Sequence, residues 1–262
     1  MQAVIRRAGA ALVGLLVSGF LGAAVARAET LVIAADIWCP INCSAAAEQR
    51  GIFVELAEQI FAEHGIRVEY RTLNWARALH ETRSGRIDAV IGAGVRDAPD
   101  FLFGETPTGI SQSCFYARPE RAWRYQGVDS LSAVTLGAIN GYAYSEELDN
   151  YIRAHHARQQ RVQLVSGDHA LAINVDKVLH GRVDVTLENR WVMEAFRARS
   201  GEARQLVQVG CLQVRSPIYL AFSPVRASSA RYLTLYQDGL RRFQEDGRYE
   251  RIMQRYGVSL AP

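Results

Sequence analysis

Five short stretches of the chain carry side chains that could recognise a small molecule. Arg96 follows Gly92-Ala93-Gly94 at the end of an apolar run. Small residues such as Gly94 let a ligand come close to the backbone, and an arginine beside them could hold a carboxylate through a bidentate pair. The same arginine could instead form an ion pair with Asp97, Asp100 or Glu188. Trp38 ends a short apolar segment, where its ring could stack on a planar or cationic group, or simply fill a core. Arg77 lies three residues after Asn74, near the expected carboxyl end of a strand, the edge at which α/β sheets bind ligands; the other reading is a solvated helix face. Gly141-Tyr142 is read as a helix start whose free N–H groups would attract an anion, or as a tight turn. Glu188, between the apolar Leu187 and Asn189-Arg190-Trp191, is an acid in a buried setting that could face a cation or act as a general base.

The chain offers little for other chemistry. The six histidines and four cysteines show no metal-ligand spacing. Nor is there a Ser-His-Asp arrangement or a nucleophile motif, so neither metal nor cofactor is expected. Cys39, Cys43, Cys114 and Cys211 allow three disulfide pairings. Cys39–Cys43 with Cys114–Cys211 is preferred, because Cys114 and Cys211 each precede a candidate crossing between domains.

The elements that must position these residues alternate in type. An apolar strand at 31–35 leads to a helix opened by Gly51 and ended by Gly65. A strand at 66–70 follows, then a helix capped by Asn74 and closed by Gly85, then a buried strand at 87–91. This β-α-β-α-β order implies a mainly parallel sheet flanked by helices. After residues 101–118 the pattern repeats: a strand at 134–138, a helix from Ser145, a strand at 162–164, a helix capped by Asp168 and ended by Gly181, a strand at 183–187 and a helix capped by Asn189. Gly85-Arg86-Ile87-Asp88 and Gly181-Arg182-Val183-Asp184 mark equivalent points of the two halves. Helices near 229–246 and 249–256 would pack back on the first half. The fold class is thus α/β, with two lobes joined by two crossings: residues 29–115 and 217–262 in lobe one, 116–216 inserted as lobe two.

Residues 1–28 read as a cleaved secretory signal peptide: Arg6 and Arg7, an apolar run, then Ala26-Arg27-Ala28. Its three arginines account for the whole formal net charge of +3, so the rest of the chain is balanced. A neutral surface argues against nucleic acid as a partner.

The ordered motifs resemble the periplasmic solute-binding proteins of ABC importers, in the polar amino acid-binding branch. Gly51-x-Phe53-Val54-Glu55-Leu56-Ala57 resembles that family's G-x-x-V-D-L-A helix start, and Trp75 and Leu79 with Gly85-Arg86-Ile87-Asp88-Ala89 its W-x-x-L … G-x-x-D-A run. Asp100-Phe101, Leu136-Gly137 with Gly141, Gly181-Arg182-Val183-Asp184, and Gly247-Arg248 with Arg255-Tyr256-Gly257 follow in the family's order. The resemblance implies a two-lobed type 2 periplasmic-binding fold, a monomer, a small polar solute in the cleft, and a partner permease at the inner membrane. With the readings above, the candidate ligand set is Trp38, Arg77, Gly94, Arg96, Gly141, Tyr142, Glu188 and Asn189, of which the resemblance points to the aromatic at Trp38 and the position of Asn189. Three departures stand out. The segment around Arg96 is shorter than the family's, Gly92, Ala93 and Gly94 replace its serine or threonine donors after the strand, and Asn189 takes the position of the acid that pairs with a ligand's ammonium. An enzyme or a periplasmic sensor on the same scaffold is the alternative.

Overall fold

The computed structural model describes residues 29–258. The leader expected over residues 1–28 lies outside the described residues. Along the chain run β1 (Thr30–Ala35), α1 (Ile52–Ala62), β2 (Arg67–Thr72), α2 (Trp75–Arg83), β3 (Ala89–Ala93) and β4 (Gly109–Ser111). Then come β5 (Ser113–Ala117), β6 (Leu136–Ile139), α3 (Glu146–His155), β7 (Val162–Val165), α4 (Ala170–Leu179), β8 (Val185–Asn189), α5 (Arg190–Arg199) and β9 (Val207–Cys211). The chain returns through β10 (Ser216–Phe222) to α6 (Ser229–Glu245) and α7 (Arg248–Arg255).

These strands form two five-stranded sheets, ordered β2-β1-β3-β10-β4 and β7-β6-β8-β5-β9. In each, three strands pair in parallel and the two contributed by the crossing segments join through antiparallel pairings, so that β10 and β5 alone run against the rest of their sheets. Both faces of each sheet are covered, and the alternation of side chains shows it. Ile33, Ala89 and Ile91 join the cluster under α1 and α6, whereas Ala34 and Val90 join Trp75 and Ala78 of α2 on the other face. In the second sheet Phe115 and Ala117 pack on one side, Cys114 and Tyr116 on the other.

The crossings fall earlier than the sequence suggests. β4 and β5 belong to different sheets and only Gln112 lies between them, so the first crossing is at Gln112 rather than after residue 115. The return occupies residues 212–215, and β10 begins the first sheet at Ser216. The strand expected at 87–91 begins at Ala89 and extends to Ala93, and Asp88 just before it ties the turn down with its side chain. Its Oδ2 accepts the Val32 N–H at 2.8 Å, and its Oδ1 meets Arg226. Asp184 repeats this in lobe two, where its Oδ2 accepts the Thr135 N–H at 2.8 Å. The two Gly-Arg-x-Asp stretches are therefore the same device. Each glycine turns the helix end with positive φ (77° at Gly85, 68° at Gly181), and each aspartate ties the turn to the neighbouring strand.

Helix caps follow the sequence closely. Asn74 Oδ1 accepts the Arg77 N–H at 3.0 Å, and Ser145 Oγ accepts that of Leu148. The exception is α4, whose N-cap is His169 and not Asp168, with no side-chain cap bond. The cysteines are all paired, Cys39 with Cys43 and Cys114 with Cys211. The second pair faces across the antiparallel β5–β9 ladder.

Candidate functional site

The cleft lies between the lobes, at the ends of the strands. On the lobe-one side β1 delivers Asp36, and the loop after it delivers Trp38. That loop is tightly built. Trp38 and Asn42 pair as an isolated bridge, Asn42 Nδ2 donates to the Asp36 carbonyl at 2.7 Å, and the Cys39–Cys43 disulfide closes the turn. Gly92 allows the loop to approach β3: its φ is +84°, and a Cβ there would meet Asn42 Oδ1 at 3.3 Å and the Trp38 ring at 3.4 Å. Asp97 bends back so that its Oδ2 accepts the Gly94 N–H at 2.7 Å. The facing wall, from lobe two, is made by Tyr142, Tyr144 and Glu188.

These residues surround a small chamber with a cavity volume of about 70 Å³, with Trp75, Ser111, Ser113 and Ile218 among its other walls. A second chamber opens behind it, lined by Asp168, His169, Leu171, Phe196 and Arg199. Asp36, Tyr142 and Glu188 line both. Hydrogen bonds cross from lobe to lobe here, two of them between facing walls of the cleft. Tyr142 Oη donates to Asp36 Oδ2 at 2.6 Å, and Trp38 Nε1 donates to Glu188 Oε1 at 2.8 Å. Glu188 Oε1 also accepts the Asn189 N–H, whereas its Oε2 is buried with no hydrogen-bond partner among the described residues. The Trp38 and Tyr142 rings meet edge to face at 76°, with centroids 6.4 Å apart; Tyr144 leans against Tyr142 at 51°.

The electrostatics of the first chamber are one-sided. Among the described residues it is lined by three carboxylates and by no arginine, lysine or histidine. Burial pushes Glu188 up to about 7, against the lowering effect of its bonds to Trp38 and the Asn189 N–H. Burial likewise pushes Asp36 up to about 6, opposed by the Tyr142 hydroxyl. Asp97 rises to about 6 for the same reason, opposed by the Gly94 N–H and the Trp75 indole. The charges that act on this trio are themselves negative: Asp97 and Asp168 on Asp36, Asp149 on Asp97, and Asp36 on Glu188. Tyr142 is held protonated by burial and by the neighbouring Asp36.

Of the residues singled out from sequence, Trp38, Gly94, Tyr142 and Glu188 line this chamber. Four others do not. Arg77 is on the outer face of α2, loosely paired with Glu81 at 3.8 Å. Arg96 lines an adjoining pocket that shares Gly94, Asp97 and Tyr144 with the chamber, and it bridges the lobes through Asp149 at 2.8 Å, a partner outside its own neighbourhood in sequence. Gly141 is in an exposed turn four residues before the Ser145 cap, so no helix begins there to hold an anion. Asn189 is buried as the cap of α5: its Oδ1 accepts the Trp191 and Val192 N–H groups and its Nδ2 donates to Ser111 Oγ. Sequence reasoning passed over Asp36 and used Asp97 only as a partner for Arg96. Asp36 carried a usable signal, a carboxylate directly after a buried strand at the edge where α/β folds bind ligands.

Two α/β lobes with paired crossings and a polar, aromatic cleft between them define a two-lobed binding-protein architecture. The chain belongs to the bacterial extracellular solute-binding proteins, family 3, whose family model matches residues 31–259. Similar solved structures include a histidine kinase sensor domain related to periplasmic binding proteins. It is 21% identical over 90% of this chain and 99% of that one, with a TM-score of 0.72. An ancestral arginine-binding protein bound to arginine is 18% identical over 87% and 98%, with a TM-score of 0.71. A structure from a study of glutathione import through GshT and the cystine importer TcyBC in Streptococcus mutans is 16% identical over 90% and 98%, with a TM-score of 0.75. At these identities the likeness concerns the fold. A search of curated proteins finds no match to this chain.

Proposed function

We propose that this protein captures a small polar solute in the cleft between its lobes, outside the cytoplasm, and presents the closed form to an ABC permease at the inner membrane. The secretory leader expected over residues 1–28 would deliver it to the periplasm, and it would act as a monomer. The observation that carries this reading is the pair of lobe-to-lobe hydrogen bonds, Tyr142 to Asp36 and Trp38 to Glu188, made by the residues that also line the chamber. A solute entering there touches both lobes at once, so it binds the closed form better than the open one and shifts the population towards closure. Membership of a solute-binding family supports the same reading. A thermal-shift screen of the purified chain against amino acids, amines, organic acids and sugars tests it. At least one class should raise Tm by mass action, and a flat response across all classes would count against solute capture.

A second reading has one observation in its favour. Glu188, raised to about 7 in an enclosed cleft, has the acidity of a general base at neutral pH. Incubating each stabilising solute with the protein and analysing it by mass spectrometry distinguishes the readings: catalysis requires turnover, and capture returns the solute unchanged.

A further inference from the structure

We propose, building on the solute-capture reading, that the solute is a small organic amine or ammonium cation with no carboxylate on the carbon next to its charged nitrogen. The walls of the first chamber ask for positive charge. Asp36, Asp97 and Glu188 line it, and no cationic side chain among the described residues does. Glu188 is 2% exposed, and its Oε2 has no donor, so one buried carboxylate oxygen is left for a partner that enters the cleft. An N–H of a bound ammonium is a donor of the right sign.

The aromatic residues fit the same guest. Trp38 and Tyr142 stand nearly perpendicular at 76°, and Tyr144 adjoins them, so three rings form adjacent walls beside the carboxylates. Rings around a cation are attracted to it through their quadrupoles, most strongly where water is excluded.

The chamber is equally informative about what it rejects. An α-amino acid places its carboxylate on the carbon that bears the ammonium, so both groups must share one chamber. Here that carboxylate would be buried among three acids. Neither arginine that could have neutralised it lines the chamber: Arg77 lies on the outer face of α2, and Arg96, in an adjoining pocket, is paired with Asp149. Arg199 and His169 stand in the second chamber, beyond the Tyr142–Asp36 hydrogen bond. The negative neighbours of the trio, Asp149 and Asp168, add to the penalty. Burying an unpaired carboxylate is costly in general, and the excess acid charge makes this site a poor place for one.

Calorimetric titration with matched pairs isolates the carboxylate: L-arginine against agmatine, L-lysine against 1,5-diaminopentane, L-ornithine against 1,4-diaminobutane, L-tyrosine against tyramine, with choline and tetramethylammonium as permanent cations. The expected result is that at least one amine or ammonium binds, and that in every pair that binds the decarboxylated member is tighter by about tenfold or more. Glu188→Gln and Asp97→Asn should each weaken that binding at least tenfold with the circular dichroism spectrum unchanged, whereas Arg77→Ala should leave it unchanged. An amino acid binding more tightly than its own amine overturns the inference. So does binding confined to sugars or organic acids, and either result leaves solute capture standing. If no compound of any class binds, both fall.

Discussion

Tyr142 of the second lobe donates its hydroxyl proton to Asp36 of the first at 2.6 Å, and this bond also separates the two chambers of the cleft. It is a neutral donor on a carboxylate, placed where the lobes must part for a solute to enter. Tyr142→Phe removes it while keeping the ring. The expected outcome is a shift of the unliganded protein towards the open form by on the order of 1–2 kcal/mol, roughly five- to thirtyfold in the closed-to-open ratio. A larger radius of gyration by small-angle X-ray scattering checks it; an unchanged radius would deny the bond its role in closure.

Arg96→Ala removes another lobe-to-lobe contact, the ion pair with Asp149. Because Arg96 is half exposed and lies outside the chamber itself, its loss should weaken every ligand by the same small factor, about two- to fivefold, without changing the order of preference among them. Titration of the variant with two ligands of different charge decides this. A selective loss for carboxylated ligands would return Arg96 to the binding site.

The unliganded protein should lose stability as pH rises from about 4 to above 7. Asp36, Asp97 and Glu188 have raised values in the fold, about 6, 6 and 7. Below pH 4 they are protonated whether the chain is folded or not, and they contribute no difference. Between there and their folded values the native state holds the extra protons, so stability falls with each unit of pH and levels off above 7. Scanning calorimetry from pH 5 to 8 should show a Tm drop of several degrees, reduced in Glu188→Gln. A cation bound among them should displace protons at pH 6, which titrations in buffers of different ionisation enthalpy would detect.

The two disulfides should separate stability from binding. Cys114 and Cys211 are 97 residues apart in sequence and directly opposed on paired strands. Replacing both by serine should cost about 2–5 kcal/mol and lower Tm markedly. Cys39 and Cys43 are four residues apart, so their loop entropy is small. Their replacement should change Tm little and weaken binding, because that turn carries Trp38. Equal effects in the two double variants would contradict this division.

Gly92→Ala tests the approach of the Trp38 loop to β3. A side chain at φ +84° is strained, and its Cβ would press on Asn42 and on the Trp38 ring at 3.3 and 3.4 Å. A loss of about 1–2 kcal/mol in urea unfolding is expected, with weaker ligand binding from displacement of the ring.

Most of the fold was legible because its signals are local. Asn74, Ser145 and Asn189 cap helices where a short polar side chain precedes an apolar run, and Gly85 and Gly181 end them. The site was legible only in part, because residue type does not reveal side-chain direction. Arg96 stands beside the chamber in sequence, yet its guanidinium pairs with a residue 53 positions on and does not line the chamber. Asn189 does the work of a cap, which leaves it nothing for a solute. Glu188, next to it on β8, faces the cleft because neighbouring strand residues point to opposite sides. Asp168 offered a capping side chain, but α4 starts one residue later at His169. The lobe boundary slipped because β4 and β5 follow one another with a single residue between, and no change of composition marks the change of sheet.

The bond from Trp38 Nε1 to Glu188 makes the closed state visible to light. When the lobes part, this indole exchanges a buried carboxylate and the Tyr142 ring for bulk water, and its emission moves to longer wavelength. The four tryptophans include this one on the cleft wall and Trp75 close by. Solute arrival can thus be followed in the unmodified chain, with no label attached, and Trp38→Phe shows how much of the colour change belongs to the cleft.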